Sequence, residues 1–204
     1  IAALHDSHRR ITVPNFYDDV VETSPRVRQQ WQKMGFDDNE FLGSVGLTES
    51  FGAVDRSTIE RTWSRPTCDV NGIYGGYMGK GAKTVIAAHA TAKVSFRLVA
   101  DQDPRKIIDS VRAFVQARLP KDCRAEFTEF GVNRAFHVPD GSIFLAAAER
   151  ALNQVYTRPA VLIGSGGSIP AVGAIQRILG APALLMGFGL DDDCVHSPNE
   201  TFAV

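Results

Sequence analysis

The sequence predicts two unlike parts: an α+β unit over residues 1–135, with an antiparallel sheet and helices on one face, then an α/β segment over residues 136–204. Three patterns predict this. Residues 90–98 and 124–130 alternate apolar or small side chains with polar ones, the period of a half-buried antiparallel strand. Between them Ile107, Ile108, Val111, Phe114 and Val115 recur every three or four residues, the apolar stripe of a helix on a sheet. After Pro139-Asp140-Gly141, short apolar runs at 160–163 and 183–187 alternate with helical stretches, the rhythm of an α/β sheet.

Taken in order, the chain opens with Ile1-Ala2-Ala3-Leu4, which reads as the tail of a helix already under way, so the N-terminus is expected to be a cut. His5 to Arg10 form a polar turn, and Pro14-Asn15 interrupts the brief alternation Ile11-Thr12-Val13. Ser24 is placed to cap a helix with Pro25 at its first position, where a missing N–H costs nothing; Gly35 stops it. Two short helices are predicted at 38–45 and 58–63, the second ending ahead of Pro66. A strand follows at 68–73. Gly72, Gly75, Gly76, Gly79 and Gly81 then make a loop able to bring its backbone close to something else. Asp103-Pro104 caps the long amphipathic helix and Pro120 ends it. Strand, strand, helix, strand becomes the split βαβ, ferredoxin-like unit if one strand and one helix precede Ile1. Without that strand, a sheet edge is left open to pairing with another copy. Helices are expected at 142–155 and 169–179.

Composition narrows the function. Basic and acidic residues nearly balance, 22 against 23, so nothing points to nucleic acid or an anionic membrane. The longest apolar runs fall far short of the roughly 20 residues of a membrane span. Cys68, Cys123 and Cys194 stand far apart, which excludes a CxxC metal site and fits three reduced thiols in a cytoplasmic protein.

Three segments carry residues of chemical interest. Asp191-Asp192-Asp193-Cys194-Val195-His196 follows an apolar run, where open α/β sheets place their sites. Neutral imidazole is a good zinc ligand, and carboxylates serve beside it or behind it. Gly164 to Ser168 lies between a strand and a helix, where backbone N–H groups meet anions; it lacks the lysine of a phosphate loop. Thr84 can donate a hydrogen bond, and Arg97 can clamp a carboxylate bidentately. Taken singly, each segment also has a plain structural explanation: a solvated acidic loop, a turn, a hairpin with an exposed arginine.

Together they carry a resemblance. Residues 67–77 (TCDVNGIYGGY) with 79–86 (GKGAKTVI) are similar to the lid-domain signature of carnosinase-like dipeptidases, in the aminoacylase/carnosinase family of zinc metallopeptidases. Residues 94–99 (VSFRLV), 166–170 (GGSIP), 196–200 (HSPNE) and 13–20 (VPNFYDDV) resemble further family segments, in the same order and over nearly the whole chain.

The resemblance implies a lid or dimerisation domain over 1–135, lacking its first strand and most of its first helix, and the C-terminal part of a catalytic domain over 136–204. It implies a metallopeptidase acting on dipeptides or short peptides with two zinc (or manganese) ions. Those ions would activate a bridging water, a glutamate base upstream of this chain taking its proton. His196 would bind one ion; Arg97 would hold the peptide's terminal carboxylate; Gly167 and Ser168 would contact the same end. Thr84 would touch substrate, with a partner subunit's active site as one place for it, since family members dimerise through the lid. No catalytic residue of the family matches here, and the other metal ligands have no match either. One histidine does not hold a catalytic zinc, which takes about three protein ligands. This chain alone is therefore expected to be inactive and need not hold either ion. A related amidohydrolase (desuccinylase, aminoacylase or carbamoylase) and a non-catalytic dimerisation fragment remain as alternatives.

Overall fold

Two runs of alternating side chains pair across the glycine-rich loop. In the computed structural model, which describes residues 1–165, 169–190 and 193–202, β1 (Thr67–Gly75) and β2 (Ala90–Arg97) lie antiparallel. Thr67 stands opposite Arg97 and Gly75 opposite Ala90, with a bulge between Val70 and Gly72. The base of this hairpin carries the core. Cys68 and its cross-strand partner Phe96 pack with Val94, and α4 (Pro104–Gln116) lays Ile107, Val111, Phe114 and Val115 against them. Leu4, Ile11, Val13 and Phe16 close the other side. Phe16 is 1% exposed and meets Phe96 at 5.8 Å and Tyr17 edge-on at 5.4 Å between ring centroids. Burying such a ring is worth roughly 2–3 kcal/mol. Burial also keeps Cys68 inert: desolvation first, then the charge of Asp69, pushes its thiol up to about 11.

Caps fix the helices. Ser24 accepts from Val27 N–H at the start of α1 (Pro25–Lys33), and Asp37 accepts from Asn39 and Glu40 N–H at α2 (Asp38–Ser44). Ser57 and Glu60 make a reciprocal capping box at α3 (Thr58–Trp63). Asp103 caps α4, and Ser142 caps α5 (Ile143–Val155). α6 (Pro170–Leu179) ends at left-handed Gly180. Among the described residues no helix is long and apolar enough to cross a membrane. The Ile1 end forms only a short 3-10 turn, Ala2–Leu4.

The predicted strands at 124–130, 160–163 and 183–187 do not form; among the described residues the sheet has two strands. Alternation makes a segment fit to pair, but a strand needs a neighbour for its N–H and C=O groups. The stretch around 124–134 lies instead along α4, with Glu129 accepting from Arg105 and Arg112 at 2.8 and 2.7 Å and Arg134 donating to Asp103 at 2.5 Å. The predicted α+β unit, an antiparallel sheet with a helix packed on it, is therefore present with two strands, and further strands are absent among the described residues.

α1 and α3 pack against the C-terminal segment rather than the hairpin. Val27, Trp31 and Ile59 form a second core with Phe36, Trp63, Val161 and Leu162. Trp31 Nε1–H donates to the carbonyl of Leu162 at 2.7 Å, and Leu162 N–H donates to Gln30 Oε1 at 3.1 Å. A helix thereby supplies both bonds that a strand neighbour would. Glu149 on α5 accepts from Arg26 at 2.6 Å, and a Cβ at Gly164 would overlap the Trp63 carbonyl. Trp31→Phe keeps the packing and removes the donor. It should cost about 1 kcal/mol in urea unfolding, the net worth of one part-buried hydrogen bond. A change within the ~0.5 kcal/mol scatter of surface substitutions would show that the bond is incidental.

Candidate functional site

Arg97 is the last residue of β2, held by the ladder opposite Thr67, with its side chain exposed. Thr67 Oγ1 donates to Asp69 at 2.6 Å, so this end of the hairpin presents a cation, a carboxylate and a hydroxyl together. A guanidinium there can take a carboxylate in two parallel bonds.

Thr84 lies in the exposed connection between the strands, at the other end. Its neighbours Lys83 and Val85 line an open groove of about 400 Å³ with Tyr74, Met78, Ile86 and His89. Tyr77 Oη donates to the carbonyl of Lys80 at 3.2 Å, and a Cβ at Gly79 would sit 2.5 Å from that Oη. A Cβ at Gly75 would stand 2.9 Å from the His89 carbonyl. Glycine at these two positions lets the loop fold back on the strand ends. Thr91, which also lines the groove, is separated from Arg97 by roughly 20 Å of strand at about 3.3 Å per residue. Thr84 and Arg97 therefore do not meet within one chain.

His196 sits in an exposed turn built on Asp193, which is only 4% exposed. The Asp193 carboxylate accepts from Leu190 N–H at 2.8 Å, and its carbonyl accepts from Thr201 N–H at 2.9 Å. His196 N–H donates to Glu200 at 3.2 Å. Cys194, His196 and Asn199 all have left-handed backbone, with φ of 54°, 62° and 65°. Gly167 and Ser168 lie outside the described residues, so their expected contact with substrate has no geometry here. Among the described residues no three His, Cys, Asp or Glu side chains gather to hold a metal ion. His196 with Glu200 and Asp193 is too small and too committed a donor set for a dinuclear centre, because Asp193 is spent on the turn.

Sequence reasoning missed two features. One is the hairpin-tip groove, which the glycine run foreshadowed and in which His89 is a lining residue. The other is Gln102, whose side chain is almost wholly buried just beyond Arg97.

Comparison with known proteins gives these features a context. Residues 1–123 match the peptidase dimerisation domain. Over 209 residues the chain is 30% identical to the Cys-Gly metallodipeptidase DUG1 of Candida albicans, covering 100% of this chain and 43% of the relative. Among solved structures it is similar to the M20 family metallo-carboxypeptidase Sso-CP2 from Sulfolobus solfataricus, with a TM-score of 0.74 and 30% identity over 88% of this chain and 46% of that one. It is also similar to the di-peptidase Dug1p from Saccharomyces cerevisiae, with a TM-score of 0.71 and 27% identity over 98% of this chain and 42% of the other. The chain thus spans less than half the length of the curated relatives it matches.

Proposed function

The chain belongs to the M20 peptidase dimerisation domain family, and from that premise we propose that the whole protein hydrolyses dipeptides or short peptides at a divalent-metal centre. The match of residues 1–123 carries the proposal, and the exposed guanidinium at the end of β2 gives it chemistry. In this proposal residues 1–135 are the lid through which two copies form a homodimer, and residues 136–204 belong to the catalytic domain. The enzyme works in the cytoplasm, in keeping with three free thiols.

The ions, two zinc or manganese, supply an activated water when bound. The described residues do not by themselves fit such a centre; His196 is one ligand, and the remaining ligands and the base come from elsewhere in the protein. What this chain does is bind and orient. Arg97 takes the C-terminal carboxylate of the peptide, with Gly167 and Ser168 at the same end. Fixing that terminus sets the scissile bond at a defined distance from the metal centre, which removes orientational freedom ahead of attack. Thr84 works in the partner subunit's site. The length of the hairpin supports this, because Thr84 and Arg97 of one chain stand at opposite ends of it.

Three tests follow from these roles. In the full-length enzyme, Arg97→Ala should raise KM for a dipeptide with a free C-terminus by roughly 10–100-fold, the worth of a charge-assisted bond, and leave the C-terminal amide of that dipeptide nearly unaffected. Equal effects on both substrates would remove Arg97 from carboxylate binding. At dipeptide concentrations well below the KM of Arg97→Ala, mixed dimers of Thr84→Ala and Arg97→Ala subunits should be more active than either homodimer, because one of their two sites has both residues intact; no gain would put Thr84 outside the partner's site. The 204-residue chain alone, given zinc or manganese, should not turn over dipeptides, and turnover at the intact enzyme's rate would contradict the ligand assignment.

A further inference from the structure

Gln102 is 2% exposed, the most buried polar side chain among the described residues. A buried amide is retained only with partners, and both ends of this one have them. Oε1 accepts from Val99 N–H at 2.9 Å, and Nε2 donates to the carbonyl of Phe16 at 2.7 Å. Gln102 N–H also donates to the Val99 carbonyl at 3.3 Å, so the turn from Val99 to Gln102 is closed by side chain and backbone together. Asp101, within that turn, has a φ of 70°.

The position of this network is what matters. The sheet ladder ends at the Thr67–Arg97 pair, so strand pairing ceases to constrain the backbone at the residue that carries the guanidinium. Phe96, just before Arg97, is packed by the Phe16 ring. Val99, two residues after it, is held by the Gln102 amide, which also holds the Phe16 carbonyl. One side chain therefore ties down both flanks of Arg97. A bidentate grip needs direction as well as charge, and small rotations at the root of a long side chain move its tip far.

We propose that Gln102 is a positioning residue that aims Arg97 at the peptide carboxylate; this rests on the role given to Arg97 above. The alternative is that Gln102 only satisfies two backbone groups and so contributes to stability alone.

Kinetics of the full-length enzyme separate the two. Gln102→Met keeps the volume and removes both bonds, with Gln102→Leu as a second variant should the first fold poorly. KM for a dipeptide with a free C-terminus should rise roughly tenfold with kcat within about twofold, while KM for the C-terminal amide stays put. In an Arg97→Ala background the same substitution should have no further effect on KM. Partial unfolding lowers kcat and leaves KM alone, because KM does not depend on the amount of active enzyme. An unchanged KM in the folded variant, or equal rises for the acid and the amide, overturns the inference and leaves Arg97 in its role. If Arg97→Ala itself does not discriminate acid from amide, the role of Arg97 falls and this inference falls with it.

Discussion

Backbone polar groups without a strand partner must still be satisfied, and in this chain side chains do so at two places. Gln102 does so at the end of β2, between Val99 and Phe16. Gln30 and Trp31 do so at Leu162, one taking its N–H and the other serving its carbonyl. An unmet buried group costs about 1–3 kcal/mol, so each substitute also dictates what packs on what. Trp31 can reach Leu162 only if α1 lies across the C-terminal segment, and Val27, Ile59 and Trp63 then bury themselves in that junction. Outside it, Glu22 gathers Arg28, Arg56 and Arg65 within 3.2 Å, and the Arg56 hydrogen bond holds its carboxyl below the usual range. These are exposed pairs, half in water at Glu22, and contribute little individually. The direction of the α1–α3 segment is set by the bonds at Leu162.

The hairpin follows a different economy. Its base is buried and its tip is not. Cys68 and Phe96 sit in the core, the bulge at Asn71 shifts the register, and beyond it Ile73 and Tyr74 are 64% and 47% exposed. A strand pair with core under one half only acts as an arm: rigid through its ladder, anchored at Arg97 and projecting at Thr84. A groove at the tip lined by Tyr74, Met78 and Ile86, with Ile86 fully exposed, is a surface water solvates poorly. The proposed dimer gives that projection a purpose, since an arm of this kind can carry Thr84 away from its own Arg97.

Helices and strands differed in how far the sequence could be read. The helices were legible locally: Ser24 with Pro25 and Asp103 with Pro104 mark two starts in the sequence, and Asp37, the Ser57–Glu60 box and Ser142 cap three others, while α6 starts at Pro170 with no side-chain cap. A cap is a contact between residues two or three apart, so it is present wherever the residues are. The hairpin could be read because its two halves are joined by one loop. The runs at 124–130, 160–163 and 183–187 have strand composition and no adjacent run to pair with, and pairing is a property of two segments. Arg97 could be singled out because a guanidinium can clamp a carboxylate and because residues 94–99 resemble a family strand. Gln102 could not: within Asp101-Gln102-Asp103-Pro104 it reads as one more polar loop residue, and only the arrival of Phe16 from 86 residues away buries it.

The turn that carries His196 shows the same principle under strain. Left-handed backbone at a residue other than glycine costs of order 1–3 kcal/mol, least for asparagine. Asn199 and His196 are residue types that adopt it more readily; Cys194 is not. The turn keeps this geometry because Asp193 holds it from inside, its carboxylate on Leu190 N–H and its carbonyl on Thr201 N–H, while Glu200 takes the His196 N–H. Asp193 commits a buried carboxylate to the backbone just ahead of His196. This makes sense if the direction of the His196 imidazole matters, because a metal ligand must present its nitrogen within tenths of an ångström. Asp193 is then to His196 what Gln102 is to Arg97: a buried group that touches neither ion nor peptide, and fixes the backbone of the residue proposed to do so.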